Sequence, residues 1–158
     1  MAERAVENVW DYPRPPSIEP SDERLVVRLG GQVVAETASS WRVCETSHPP
    51  TYYLPLEAFV AGALRPATGS TVCEWKGRAS YFDLLGGGRT VRHGAWTYPA
   101  PSDRFADLAG HVAIYPGKVD ECTVDGEVVQ AQDGDFYGGW ITSRVSGPFK
   151  GAPGTLGW

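Results

Sequence analysis

Residues 24–37 read RLVVRLGGQVVAET, and their alternation decides the class of fold. Leu25, Val27 and Leu29 recur at every second position, and side chains two apart on a strand share a face. Gly30 and Gly31 follow, the residue type that best accepts the positive φ of a two-residue hairpin turn. QVVAET then resumes as a second strand, so the stretch predicts a β-hairpin with one apolar face.

The same punctuation runs outward in both directions. Nineteen glycines and thirteen prolines separate short apolar stretches. SWRVCE (40–45), STVCEW (70–75), RASYFDLL (78–85), RTVRHGAWTY (89–98), HVAIY (111–115), KVDECTV (118–124), EVVQAQ (127–132) and GWITSRV (139–145) all read as strands. Pro116-Gly117 and Asp125-Gly126 mark turns, the latter pair being a strong hairpin signal. Two short helices are expected, LEAFVAGAL (56–64) and SDRFADLAG (102–110), the second with Ser102 as cap and Gly110 as stop. Neither is long enough to be stable without packing. The expected architecture is a single mainly β domain over residues 1–158, two antiparallel sheets forming a small barrel or tent-like sandwich, with Pro13 to Pro20 holding an extended arm.

An internal echo suggests how those sheets arise. VWDYPRPP at 9–16 returns as AWTYPAPS at 95–102, and the same offset of 86 residues pairs Val26 with Val112, Gly31 with Gly117 and Val43 with Val129. A duplicated β unit follows, with halves at about 9–55 and 95–141 and an insertion at about 56–94. Convergent β patterning is the alternative reading. On this alignment His111, Ala113 and Tyr115 take the places of Leu25, Val27 and Leu29, which turns His111 inward. A buried imidazole must be hydrogen-bonded or lose its charge, so His111 is either a satisfied core residue or part of an internal site.

Composition narrows the function. The net charge of −5 and pI near 5.1 give no general attraction to nucleic acid or to anionic membranes. The start, MAERAVENVWDYPRPP, lacks a signal-peptide pattern and no stretch is long enough to span a bilayer, so a cytoplasmic location is expected. Cys44, Cys73 and Cys122 are odd in number and widely spaced, as reduced thiols would be. Neither CxxC nor HExxH occurs. No metal and no cofactor are expected, Cys73, His111 and Cys122 being the least implausible ligand set. Acidic neighbours argue against Cys44 or Cys122 as nucleophile, and GxSxG is absent.

Chemistry concentrates in two stretches. In ETSHPPTYYLP (45–55) the consecutive prolines stiffen the loop, Glu45 is placed to orient or charge His48, and Tyr52 and Tyr53 put one phenol on each face of the next strand. A proline corner with core tyrosines is the alternative. In CEWKG (73–77) strand alternation turns Cys73 and Trp75 to the core and lets Glu74 pair with Lys76. Each of Lys76, Lys118 and Lys150 adjoins a glycine, where an ammonium and bare backbone N–H groups can meet an anion together.

Together with AWTYPAP, HVAIYP, VDGEVV, FYGGWITSRVSGPFKG and PGTLGW, these segments run in order along nearly the whole chain. They resemble the hallmark segments of the family called domain of unknown function 427, whose members are mostly bacterial and fungal single-domain or tandem proteins. The family is sometimes described as of nucleotidyltransferase type. Polymerase-type members of that class need a GS motif followed by two closely alternating acidic residues to hold metal ions, and this sequence has no such motif. The resemblance implies a stand-alone β domain and transfers no catalytic residue.

Six tryptophans and seven tyrosines exceed the needs of a core this size, and aromatic walls with a few convergent polar groups describe small-molecule sites. The leading expectation is a domain that binds a small polar or anionic ligand, with Glu45, His48, Tyr52, Tyr53, Glu74, Lys76 and Trp140 nearest to it. The alternatives are an enzyme with His48 or His111 as general base and Lys76 as anion stabiliser, and a protein-interaction module. Homo-oligomers are compatible with any of these.

Overall fold

The computed structural model describes residues 4–73, 75–134 and 137–158. Leu25–Leu29 and Gln32–Thr37 pair antiparallel through Gly30 and Gly31, whose φ angles are 62° and 80°. Contact as well as conformation requires glycine here: a Cβ on Gly30 would lie 2.2 Å from the Gly86 carbonyl oxygen, because this turn presses against the turn at Gly86 and Gly87.

In chain order the strands are β1 (Glu7–Asn8), β2 (Ser17–Ser21), β3 (Leu25–Leu29), β4 (Gln32–Thr37), β5 (Ser40–Cys44), β6 (Thr51–Pro55), β7 (Leu64–Cys73) and β8 (Gly77–Gly86). They continue as β9 (Arg89–Thr97), β10 (His111–Ile114), β11 (Glu121–Val124), β12 (Glu127–Val128), β13 (Gln130–Ala131), β14 (Trp140–Ile141) and β15 (Val145–Ser146). A seven-stranded antiparallel sheet has the order β2-β5-β6-β10-β9-β8-β7, and a four-stranded one the order β12-β11-β3-β4. Two small ribbons, β1-β15 and β13-β14, complete the pairing.

The period-two rule sorts the large sheet into two faces. Tyr52, Leu54, Leu84, Ala95, Val112 and Ile114 pack with Leu25, Val27, Leu29 and Val34 of the small sheet in one core. Their neighbours in sequence, among them Tyr53, Trp96 and Ala113, face the opposite side in a second, aromatic cluster with Phe105 and Leu108. Complete burial of a leucine such as Leu25 or Leu54 contributes about 1.5–3 kcal/mol, so the first core fixes how the two sheets lie.

Several expectations change in three dimensions. The mainly β class holds, but the large sheet keeps open edges at β2 and β7 and no barrel closes. Among the described residues the helical segments are 3-10 turns, including Leu56–Ala58 and Asp103–Leu108, with Gly62 and Gly110 at positive φ beyond them. Residues 64–97 supply β7, β8 and β9, which are integral to the large sheet. The 86-residue offset aligns β3, a hairpin partner of β4, with β10, which lies in the other sheet between β6 and β9. Consequently β10 turns Val112 and Ile114 to the core, the parity opposite to the one expected for His111. No helix among the described residues is long and apolar enough to cross a membrane.

Where the small sheet ends, charge covers the large one. Arg42 lies opposite Tyr52 in the β5–β6 register, on the core-side face, yet its side chain is only 1% exposed. The N-terminal arm covers it. Arg42 Nη2 donates to Glu7 (2.8 Å), Nη1 donates to Glu19, and Nε lies 3.9 Å from Glu23. Buried Glu23 also accepts from Ser21, Tyr52 and Arg144. Burial pushes the Glu7 carboxyl up, but the hydrogen bonds from Arg42 and Tyr12 outweigh it and leave the group below its ordinary range. Its stabilising contribution is present above the unfolded glutamate value and fades as pH falls through the lower folded one.

Replacing Arg42 by Met leaves several carboxylates without their central cation. The variant is expected to lose about 3–5 kcal/mol in chemical denaturation; a loss under about 1 kcal/mol would show that the arm is held by other contacts.

Candidate functional site

The aromatic face of the large sheet is the floor of a cavity of about 400 Å³. Alternation assembles it: Val43 from β5, Thr51 and Tyr53 from β6, Ala79 and Tyr81 from β8, and Thr71 and Cys73 from β7 all project to this side. Trp96 of β9 and Tyr98, two residues on, add the largest surfaces, with Tyr115 just past β10 against Trp96 at 4.4 Å between ring centroids. Trp96 Nε1 donates to the Tyr53 phenol oxygen at 3.3 Å. Burial, aided by neighbouring phenols, raises the Tyr53, Tyr98 and Tyr115 hydroxyls, Tyr115 to about 12. These phenols are neutral hydrogen-bonding groups at physiological pH.

One wall is the ETSHPP loop. The His48 N–H donates to the Glu45 carbonyl (3.0 Å), closing a turn around Ser47, whose φ is 72°. The loop is stitched from outside by Ser47 N–H to Val9 and Thr46 N–H to Pro13. Arg14 Nε approaches the Glu45 carboxylate at 3.3 Å. The proline-rich arm thus holds the loop and neutralises its acid.

The opposing wall is the C-terminal segment, and Gln132 joins the two. Its amide nitrogen donates to the Lys150 carbonyl (2.7 Å) and lies 3.1 Å from His48 Nδ1, while its oxygen accepts from Gly139 N–H (3.2 Å). A carbonyl on one side and an N–H on the other fix which way the amide points. His48 Nδ1 must therefore be the acceptor, and the neutral ring carries its proton on Nε2. Nε2 is 3.8 Å from Glu45. Burial, with the Lys150, Arg14 and Lys76 charges, outweighs Glu45 and lowers the His48 pKa below 6.5. Gly138 and Gly139 let this segment close in: a Cβ on Gly138 would meet the Trp96 ring at 2.2 Å, and one on Gly139 would meet Pro49 at 2.4 Å.

Lys76 enters from the β7–β8 turn, which Ser102 anchors by donating its N–H to the Lys76 carbonyl and its hydroxyl to the Trp75 carbonyl. Its ammonium is 5.8 Å from the ring centroids of both Tyr98 and Phe105 and 3.5 Å from Cys73 Sγ. Lys150 Nζ stands 6.0 Å from the Tyr137 centroid on the far wall. Among the described residues, neither lysine meets a carboxylate within 4.0 Å.

The cavity gathers Glu45, His48, Tyr53 and Lys76 of the residues named from sequence. Tyr52 and Trp140 lie elsewhere, packed at 5.1 Å in the first core, with the Tyr52 hydroxyl on Glu23. Glu74 is outside the described residues. His111 is at the opposite end of its strand, where Nδ1 donates to the Ala109 carbonyl at 3.0 Å, beside a separate hollow lined by Glu36, Thr37 and Pro55. Cys122 is buried in the first core, its thiol pushed up to about 12 by burial and Glu121, while Cys73 faces the cavity. Among the described residues no group of three His, Cys, Asp or Glu side chains is placed to hold a metal ion.

Sequence reasoning missed Gln132, Lys150 as a wall residue, and the floor formed by Trp96, Tyr98 and Tyr115. Alternation along AWTY was a usable signal for Trp96 and Tyr98. Nothing local marks Gln132, whose side-chain partners lie 7, 18 and 84 residues away.

A family model described as a domain of unknown function (DUF427) matches residues 17–125. That span includes the cavity floor and the ETSHPP loop but ends before Gln132, Tyr137 and Lys150. No curated protein matches the chain.

The depressed His48 pKa has a thermodynamic signature. Its neutral form suits the folded chain, so this contribution is complete above the unfolded value of 6.5 and is lost as pH falls from there through the folded pKa. Denaturation midpoints measured between about pH 7.5 and 5 should fall less steeply in His48→Gln than in the parent. Identical slopes would mean that His48 ionises equally well in both states.

Proposed function

The chain belongs to the DUF427 family, and we propose that it binds a small polar or anionic ligand in the cavity on the outer face of its seven-stranded sheet. One observation carries this reading. A concave space of about 400 Å³ has an aromatic floor on which His48, Lys76 and Lys150 converge from three separate segments. Small-molecule sites combine those features: mostly apolar or aromatic walls and a few polar groups that fix orientation.

The geometry favours binding over the general-base alternative. A base must offer a lone pair to the proton it removes. The Nδ1 lone pair of His48 is occupied by Gln132, and Nε2 already carries the ring proton. Nucleotidyl transfer through paired metal ions finds little support either, since Glu45 is the one carboxylate among the described lining residues and Arg14 holds it.

Thr51 faces the cavity from β6 and is partly exposed, so Thr51→Trp fills the space without cutting a buried bond. Thermal denaturation of parent and variant against pools of small polar and anionic metabolites tests the reading. A compound at a hundred times its Kd adds about 2.7 kcal/mol to the parent. Stabilisation that vanishes in Thr51→Trp supports cavity binding; stabilisation that persists there, or none from any pool, contradicts it.

A further inference from the structure

The geometry points to a planar aromatic molecule bearing one oxyanion as the ligand, its ring against the aromatic floor and its phosphate or carboxylate beside Lys76, Lys150 and the His48 Nε2–H. This rests on the binding site proposed above and specifies its ligand class.

Charge gives the first argument. The whole chain carries −5, yet the described charges at the cavity are the Lys76 and Lys150 ammoniums and Glu45, and Arg14 offsets Glu45 at 3.3 Å. The local balance is positive in an acidic protein. A cleft with low-dielectric walls focuses such a field and raises the local concentration of anions. Both lysines line the same cavity as His48, although they enter from opposite walls.

Donor chemistry gives the second. A neutral imidazole protonated at Nε2 offers a hydrogen bond, and the Gln132 amide prevents it from presenting a lone pair at Nδ1 instead. His48 thereby adds a donor beside two cations, a set that suits a carboxylate or phosphate and gains strength from charge on the acceptor. A bare anion leaves most of the cavity empty: about 400 Å³ falls at the lower end of sites that hold drug-sized molecules. The remaining surface is aromatic. Tyr81, Trp96, Tyr98, Tyr115 and Tyr137 all line the cavity, a set of rings against which a planar ring can pack.

The test uses the full chain, isothermal titration calorimetry and matched pairs. Adenosine 5′-monophosphate is compared with adenosine, and indole-3-acetate with indole-3-acetamide; inorganic phosphate and acetate serve as bare anions. At least one aromatic oxyanion is expected to bind about tenfold or more tightly than both its neutral partner and its bare anion, with affinity falling as salt rises. Lys76→Met and Lys150→Met should each weaken it about tenfold or more. Both side chains are partly exposed and neither lies within 4.0 Å of a carboxylate among the described residues, so each variant is expected to keep the parent's melting temperature, which is checked alongside. A preference for phosphate over carboxylate, or the reverse, identifies the source of the oxyanion.

Equal affinity for the neutral partners, indifference to both lysine substitutions, or no binding by either aromatic oxyanion overturns the inference. If adenosine or indole-3-acetamide binds and Thr51→Trp abolishes it, the cavity reading survives while the anion assignment fails. Aromatic oxyanion binding that Thr51→Trp leaves intact places the ligand elsewhere and removes both.

Discussion

The side-chain amide of Gln132 holds together segments that secondary structure leaves apart. It bridges the Lys150 carbonyl, the Gly139 N–H and the His48 ring. Backbone bonds from Trp140 to Pro50 and from Lys150 to Ser47 run alongside it. Without this junction the C-terminal segment has little ribbon structure to position it, since β13 and β14 are two residues each. Buried polar groups left unpaired cost about 1–3 kcal/mol apiece, so the amide's orientation is strongly determined. That orientation settles the tautomer of His48, and with it the chemistry available at the cavity mouth.

A second constraint operates one layer below. The seven-stranded sheet has work for both its faces, and adjacent tyrosines show the division: Tyr52 reaches through the first core to Glu23, while Tyr53 lies under the cavity against Trp96. The small sheet covers only part of the inner face. Over the remainder the N-terminal arm is tied by Arg42, Glu7 and Glu19, and Arg144 joins the network from the C-terminal side. The same arm supplies Arg14 to Glu45. Arm, loop and C-terminal segment are thus one mechanical unit built around edge strand β2 and its neighbour β5.

How far this was legible from the residues depended on range. Period-two patterning revealed β3, β4, β5, β8, β9 and β10 because alternation is local, and the Gly30-Gly31 turn is a local constraint as well. β2 escaped notice within a proline-rich stretch, since it gains its partner from β5 and Pro20 sits on an edge where no N–H is needed. LEAFVAGAL looked helical by composition, but Phe59 turns extended (φ −89°, ψ 137°) and bridges Ala35, so the turn stops at Ala58 and the chain enters β7 at Leu64. In the site, the stiff ETSHPP loop and Lys76 were visible as chemistry in sequence. On the far wall Gln132 was not, because the contact that gives it meaning, to His48, spans 84 residues, and Lys150 showed its chemistry beside a glycine but not its place in the site. Trp140 misled for the opposite reason: its aromatic bulk suggested a cavity wall, but strand parity sends it into the first core, donating to the Ile114 carbonyl.

The claim on which everything else rests is that the Gln132 amide fixes His48 as a neutral donor. Long-range nitrogen–proton correlation spectra of the nitrogen-15-labelled chain, followed across about pH 5 to 8, read the protonation of each ring nitrogen directly. The account predicts a His48 ring at neutral pH with its proton on Nε2 and a titration midpoint below 6.5. A proton on Nδ1, or an imidazolium persisting at neutral pH, would contradict it.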